Sequence, residues 1–331
     1  MGTRQNIAES FPLTIGEVSR QYRKIPAVCS DVFYHYTTPD GLKGILKSGG
    51  LRATYRMRMN DSGEFEYARK TVYYALDEIG KRHDLPKVAQ SLITFTRSNL
   101  EKLLKNTTEM SSAYCACLTV SSDHPKQWET YAEEGKGFAI GINLLQYQNN
   151  QRLAVESGKP FTFCAPVIYK ESDQSDLVRH LVEAGTNDLH TFSDKCSQRA
   201  EDLSALRDRV TNEIVYFLFT HIDFLKAPTY SSEQEFRLII DPNNGTLKAP
   251  NIQYYERDNE LIPYIFMDLR NSNTRRLPLA EIKVGPKASF SEERAFLEDL
   301  LDELGYGSNY RDRPRITQSL FETTDGAGLK E

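Results

Sequence analysis

A chain of 331 residues, 39% hydrophobic and 26% charged, is long enough to bury a core and too apolar to be wholly disordered. Its formal charge of −5 supplies no global field for nucleic-acid binding. Five cysteines (Cys29, Cys115, Cys117, Cys164 and Cys196) lack disulfide-framework spacing, the first residues lack the apolar run of a secretory leader, and no stretch approaches the roughly 18 apolar residues of a membrane span; a cytoplasmic protein with reduced thiols and no membrane partner is expected.

Residues 14–24 read as a lead-in helix. Val32–Thr37 is β-branched and aromatic and reads as a strand. Thr38 is a good N-cap, Pro39 fits the first helical turn, Leu42, Ile45 and Leu46 make one apolar stripe, and Gly49-Gly50 supplies a left-handed stop. Leu51–Tyr55 then reads as a second strand. Asp61 or Ser62 caps a helix over about 62–82, and another runs from Pro86 to about Lys105. Strands follow at 112–120, 137–143 and 161–169, with a short helix opened by Pro125 before the second of these. Residues 173–226 read as two helices, the second ending in the apolar IVYFLF, which suits either core or contact. Beyond Pro228 come strands at 234–241, 262–269 and 281–285, a turn at Pro242–Gly245, a helix over 291–304 and a last strand in ITQSLF.

Strands at both ends with helices between them predict an α+β protein, a mixed and mostly antiparallel sheet with flanking helices. The expected organisation is a lead-in over 1–28, one domain over 29–310 with a helical insertion at about 173–226, and a tail over 311–331. The arginines Arg52, Arg56 and Arg58, and likewise Arg270, Arg275 and Arg276, read as solvated surface.

Four clusters carry candidate chemistry. His35 shares a strand face with Phe33 and Thr37 just before a helix N-terminus, where it is either a satisfied, half-buried histidine or a ligand-facing one. On an extended strand Glu233, Glu235 and Arg237 share one face within about 14 Å. That face reads either as an edge salt bridge or as a carboxylate fixed by Arg237, suited to a developing oxocarbenium ion. Gln127 and Tyr131 share a helical face, with Trp128, the single tryptophan, as a buried anchor beside them. Asn60 and Asp61 follow the second strand; Asp61 reads as a cap, and Asn60 is a candidate for a pocket. A Walker A loop, HExxH, CxxC pairs and a Gly-x-Ser-x-Gly elbow are absent from the sequence, so no metal is expected.

The ordered segments FYHYTTPDGLKGIL, GGLRATYRMRMNDSGEFEYA, CACLTVSSDHPKQWETYAEEGKGFAIGI and SSEQEFRLII resemble a widespread bacterial domain family of unknown function, over most of residues 30–305. More distantly, His35-Tyr36 and Glu233-Gln234-Glu235 resemble ADP-ribosyltransferase-like folds. That resemblance implies NAD as substrate. It places His35 on the ribose and nicotinamide side, Tyr36 as a stacking ring, Glu235 at the ribose hydroxyl and Glu233 as activator of an acceptor. Thr37, Arg52, Asn60, Gln127, Trp128, Tyr131 and Arg237 complete the expected binding set. The implied activities are ADP-ribosyl transfer by a toxin-like or phage-defence effector, or NAD glycohydrolysis; a sensor that binds a nucleotide without cleaving it is the non-enzymatic alternative. The acceptor is not specified, and nucleic acid enters only in that role.

Overall fold

Turn and cap residues legible in the sequence set the first elements of the computed structural model, which describes residues 11–22, 31–59, 63–106, 113–144, 162–195, 199–240, 251–271, 273–307 and 313–321. Helix α1 (Ile15–Tyr22) precedes strand β1 (Val32–Thr37) and helix α2 (Pro39–Ser48). Thr38 Oγ1 accepts the Gly41 amide at 3.1 Å, Pro39 occupies the first turn, and Gly49 ends α2 at a φ of 72°. Strand β2 (Gly50–Tyr55) follows at once. Next come α3 (Glu64–Gly80), α4 (Lys87–Lys105), β3 (Tyr114–Thr119), α5 (Pro125–Tyr131), β4 (Phe138–Asn143) and β5 (Thr162–Pro166). Helices α6 (Glu171–Lys195) and α7 (Ala200–His221) are the two long ones expected. The chain continues through β6 (Glu235–Ile240), β7 (Ile252–Arg257), β8 (Glu260–Asp268), β9 (Leu279–Val284), α8 (Phe290–Glu303) and β10 (Arg315–Gln318).

The architecture is α+β, with a mostly antiparallel sheet and flanking helices. Strand β7 goes beyond the expected set. It pairs with β8 across the two-residue turn Asp258-Asn259, whose φ values of 52° and 63° match the right-handed twist of a hairpin. The turn at Pro242–Gly245 and the Asp61 cap lie outside the described residues.

The chain forms two units, one of Met1–Ile25, Arg56–Ala113 and Ala165–Ser231, the other of Pro26–Tyr55, Tyr114–Cys164 and Ser232–Glu331. The first is helical. Ala68, Val72, Leu76 and Ile79 of α3 recur at helical spacing and bury against Leu92, Leu177, Leu181, Val210 and Ile214. A side chain at Gly185 would sit 2.8 Å from Val210 and 3.0 Å from Ile214, so the glycine lets α6 and α7 pack closely. The apolar end of α7 is core: Val215, Phe217, Leu218 and Phe219 belong to this cluster.

The second unit is built on the sheet, ordered β10-β9-β4-β1-β3-β2-β8-β7, with β6 pairing β3 and β5. Strand β3 is the branch point. It pairs with β6 along its whole length, with β2 at its start (Thr54↔Cys115) and with β1 at its end (Tyr34↔Thr119). Residues opposite one another in a ladder point to the same side, so the registers sort the side chains into two faces. Phe33, His35, Leu118, Phe236, Ile140 and Ile282 share the first, where the rings of Phe33 and Phe236 stack at 4.1 Å. Tyr34, Tyr36, Cys117, Thr119, Glu235, Arg237, Glu281 and Lys283 share the second. Helix α5 packs on this second, polar face, with Trp128 edge-on to Tyr36 at 4.7 Å.

Candidate functional site

The polar face is organised around an ion pair in the sheet interior. All six residues of β6 are buried, and the strand has neighbours on both sides, β3 and β5. The edge position expected for Glu235 and Arg237 is therefore corrected, although the pair itself is present. Arg237, 1% exposed, donates to Glu235 Oε2 from Nε at 3.0 Å and from Nη2 at 2.6 Å. The i, i+2 spacing puts both groups on one side of the strand.

Glu233 does not continue that face. The strand opens only at Glu235; Glu233 ends a 3₁₀ turn, and Gln234 at a φ of 46° breaks the extended path that would have aligned the three residues. Glu233 is nonetheless buried, and its carbonyl accepts Thr119 Oγ1 at 2.9 Å and Gln127 Nε2 at 3.3 Å. Those two bonds tie the start of β6 to β3 and α5.

Trp128 is a buried anchor. Its indole donates to Asp123 Oδ1 at 2.6 Å, and Asp123 also accepts Ser319 Oγ at 2.7 Å and the Leu320 amide at 2.8 Å. The Tyr36 hydroxyl donates to the Ser121 carbonyl at 3.1 Å and accepts the His124 amide at 3.0 Å. Burial raises the Tyr36 phenol above its usual range. Tyr131 is half-buried against the same aromatic group. Tyr36, Gln127, Trp128, Tyr131, Glu235 and Arg237 thus belong to one side of the sheet.

His35 is half-buried and lies on the other side, with Phe33 and Thr37. Strands β1 and β3 share one register pair before they part, and the ring spans the gap: Nδ1 donates to the Cys117 carbonyl at 2.9 Å. Burial holds the imidazole below its usual pKa, outweighing the opposing effect of that hydrogen bond. The ring is accordingly neutral at pH 7 with the proton on Nδ1. Arg52 is exposed and sits over the rings of Tyr255 and Tyr264 at 5.1 Å each. Asn60 lies outside the described residues.

Two polar groupings escape the sequence reading. Glu281 is buried and accepts Tyr34 Oη at 2.8 Å and Thr317 Oγ1 at 2.6 Å, with Lys283 at 3.9 Å. Burial, reinforced by Glu281, pushes the Tyr34 phenol up to about 12. The alternation of Glu281 and Lys283 along one strand is the signal for it. The other grouping, in the helical unit, corrects the reading of Arg56 as solvated surface: Arg56 is 5% exposed, against Phe65 and Phe219, and pairs with Asp223.

Residues 127–238 match the family model described as Protein of unknown function (DUF2971). The match covers about a third of the chain and runs from Gln127 to Leu238, so it takes in Trp128, Tyr131, Glu233, Glu235 and Arg237. That segment is similar to an uncharacterised domain family, whose DUF2971 description assigns no activity. No curated protein and no solved structure matches the chain. Among the described residues no helix is long and apolar enough to cross a membrane, and no group of three or more His, Cys, Asp or Glu side chains is placed to hold a metal ion.

Proposed function

We propose that the polar face of the sheet unit binds NAD and breaks the bond between nicotinamide and ribose, with Glu235 meeting the positive charge that develops on the sugar. The observation that carries this reading is the buried Glu235–Arg237 pair: a carboxylate whose orientation is fixed through Oε2 before substrate arrives. When the glycosidic bond breaks, nicotinamide leaves with the bonding electrons and the ribose becomes an oxocarbenium ion. A carboxylate held in advance stabilises that charge without reorganising. Glu233 takes the proton of the acceptor hydroxyl as its oxygen bonds to the sugar carbon. Gln127, Tyr36 and Trp128 supply the polar and aromatic surroundings. His35 is a positioning residue in this scheme, acting through the Cys117 carbonyl rather than on substrate. Used by a toxin or phage-defence effector, the reaction would mark an acceptor macromolecule.

The test is nicotinamide release from NAD by wild type, Glu235→Gln and Glu233→Gln, with water alone, cell lysate or nucleic acid as acceptor. Loss of one preorganised electrostatic group lowers turnover by about 10²–10³-fold, which is the deficit expected for Glu235→Gln. Free ADP-ribose with no labelled macromolecule, unaffected by Glu233→Gln, identifies a glycohydrolase. Absence of release with every acceptor sinks the cleavage reading. The depth of the pair, with Glu235 7% and Arg237 1% exposed, favours a second reading, nucleotide binding without cleavage. In that case NAD raises the melting temperature and is recovered intact.

A further inference from the structure

Across β2, β8 and β7 of the sheet unit, burial alternates along the strands. Leu51, Ala53, Ile265 and Met267 are buried, whereas Arg52 is exposed and Tyr264 and Phe266 are half-buried. The registers set Arg52 opposite Phe266, Thr54 opposite Tyr264 and Tyr264 opposite Gln253, so these residues share one side with Tyr255, two places beyond Gln253. It is the side of Glu235 and Arg237, because Thr54 stands opposite Cys115 and Arg237 opposite Cys117. Here that side carries aromatic rings and an arginine. The rings of Tyr255 and Tyr264 meet at 62° with centroids 5.7 Å apart, and the Tyr264 hydroxyl donates to Gln253 Oε1 at 2.7 Å. Arg52 lies over both rings, its guanidinium carbon 5.1 Å from each centroid. Among the described residues Arg52 has no carboxylate partner and donates no hydrogen bond. The rings thus steady a planar cation whose donors are unspent.

That arrangement restricts what completes it. An occupant complements the charge of Arg52 if it is anionic, and stacks on the guanidinium and the rings if it presents flat π surfaces. Single-stranded nucleic acid offers both, phosphates for the donors and unpaired bases for the stack. A duplex keeps its base faces inside its own stack. The setting is a sheet face, on which bases of a strand stack on aromatic and arginine side chains, whereas small molecules are held in concave sites. We propose that Arg52, Tyr255 and Tyr264 form a platform for a base of single-stranded nucleic acid, with Arg52 also donating to an adjoining phosphate. Arg52 is thereby assigned to a strand instead of to NAD, and the platform does not rest on the cleavage reading.

The probe is a short fluorescein-labelled single-stranded oligonucleotide of mixed sequence, its anisotropy followed against the full chain at low salt. NAD is left out, so the result is independent of whether the glycosidic bond is ever broken. The wild type should bind saturably, with an affinity that falls as salt is added. The same oligonucleotide annealed to its complement should bind more weakly. Tyr255→Leu removes one ring, and Arg52→Lys keeps the charge but loses the planar guanidinium. Each should weaken binding of the strand by about 5- to 150-fold, the range for loss of one base-stacking side chain. Absence of saturable binding overturns the proposal, and so does equal binding of the duplex. Displacement of the strand by an equal nucleotide concentration of adenosine monophosphate would make this a mononucleotide site and overturn it too. Wild-type affinity in Arg52→Lys reduces the contact to charge attraction and overturns the stacking platform. If Tyr255→Leu does not fold, Arg52→Lys, at an exposed position, decides.

Discussion

On one face of the sheet, Phe33, Leu118, Phe236, Ile140 and Ile282 are buried among apolar neighbours; one residue further along the same strands, Glu235, Arg237, Glu281 and Lys283 are buried as well. The backbone is shared and the burial is similar, but the physics differs. Apolar packing is non-directional and degrades gradually as atoms are removed. A buried ion pair has its strength in the match between partners, so loss of one member leaves the other stranded. The two faces should therefore respond oppositely to single and to paired substitution.

The largest effect is expected at the central pair. Arg237→Met removes the guanidinium that donates to Glu235 Oε2 and should destabilise the fold by about 3–5 kcal/mol, read from urea denaturation. Replacing both residues, as in Glu235→Leu with Arg237→Met, should recover most of that loss, since a well-packed apolar pair is about as stable as the ion pair it replaces. A double variant as unstable as the sum of its parts would show that the two residues are anchored separately and would remove the basis for treating them as a preorganised unit.

Next in size is the Glu281 group. Tyr34→Phe removes the hydroxyl that donates to Glu281 Oε2 at 2.8 Å while Thr317 still holds Oε1. A buried acceptor left short of one donor costs about 1–3 kcal/mol. The matching probe on the apolar face is Ile282→Val, where loss of one methylene costs about 0.5–1.5 kcal/mol. If Ile282→Val proves the more damaging of the two, the Tyr34 hydroxyl contributes little and the contrast between the faces fails at this end of the sheet.

Legibility in the sequence followed the range over which each signal acts. Thr38, Pro39 and Gly49 act on their own neighbours, so the β1-α2-β2 passage is readable one residue at a time. The Asp258-Asn259 turn is equally local, but β7 is half exposed and alternates too weakly to stand out as a strand beside it. At the candidate site, the pairing of Glu235 with Arg237 follows from strand periodicity. Glu233 breaks the pattern because Gln234 takes a positive φ, a choice that no residue type in SSEQEFR enforces. The side of the sheet that His35 faces relative to Glu235 depends on registers between strands some two hundred residues apart in the chain. Periodicity within one strand cannot supply that relation. Arg56 follows the same rule: Arg52 and Arg58 nearby are exposed, and burial of the middle arginine depends on Phe219 and Asp223 from a distant segment as well as on Phe65.

His35 gives the finest test of the comparison, because it is a titratable group set on the apolar face. Its behaviour is governed by desolvation rather than by a charged partner, and its folded pKa lies below the ordinary 6.5. As pH falls through the unfolded value, the unfolded chain takes up a proton that the folded chain still refuses. Stability is then lost at up to about 1.4 kcal/mol per pH unit until the folded pKa is reached, while above the unfolded value the contribution is constant. His35→Gln retains an amide N–H that can reach the Cys117 carbonyl but does not titrate. Urea midpoints for the two proteins should therefore run parallel above about pH 7 and diverge below about pH 6.5, with wild type falling faster. The remaining histidines are common to both proteins, so the difference isolates His35. Parallel curves throughout would mean that the ring is not held neutral by burial, and a wild type that gains on the variant as pH falls would place an acidic partner beside it, assigning His35 to the chemistry of the polar face.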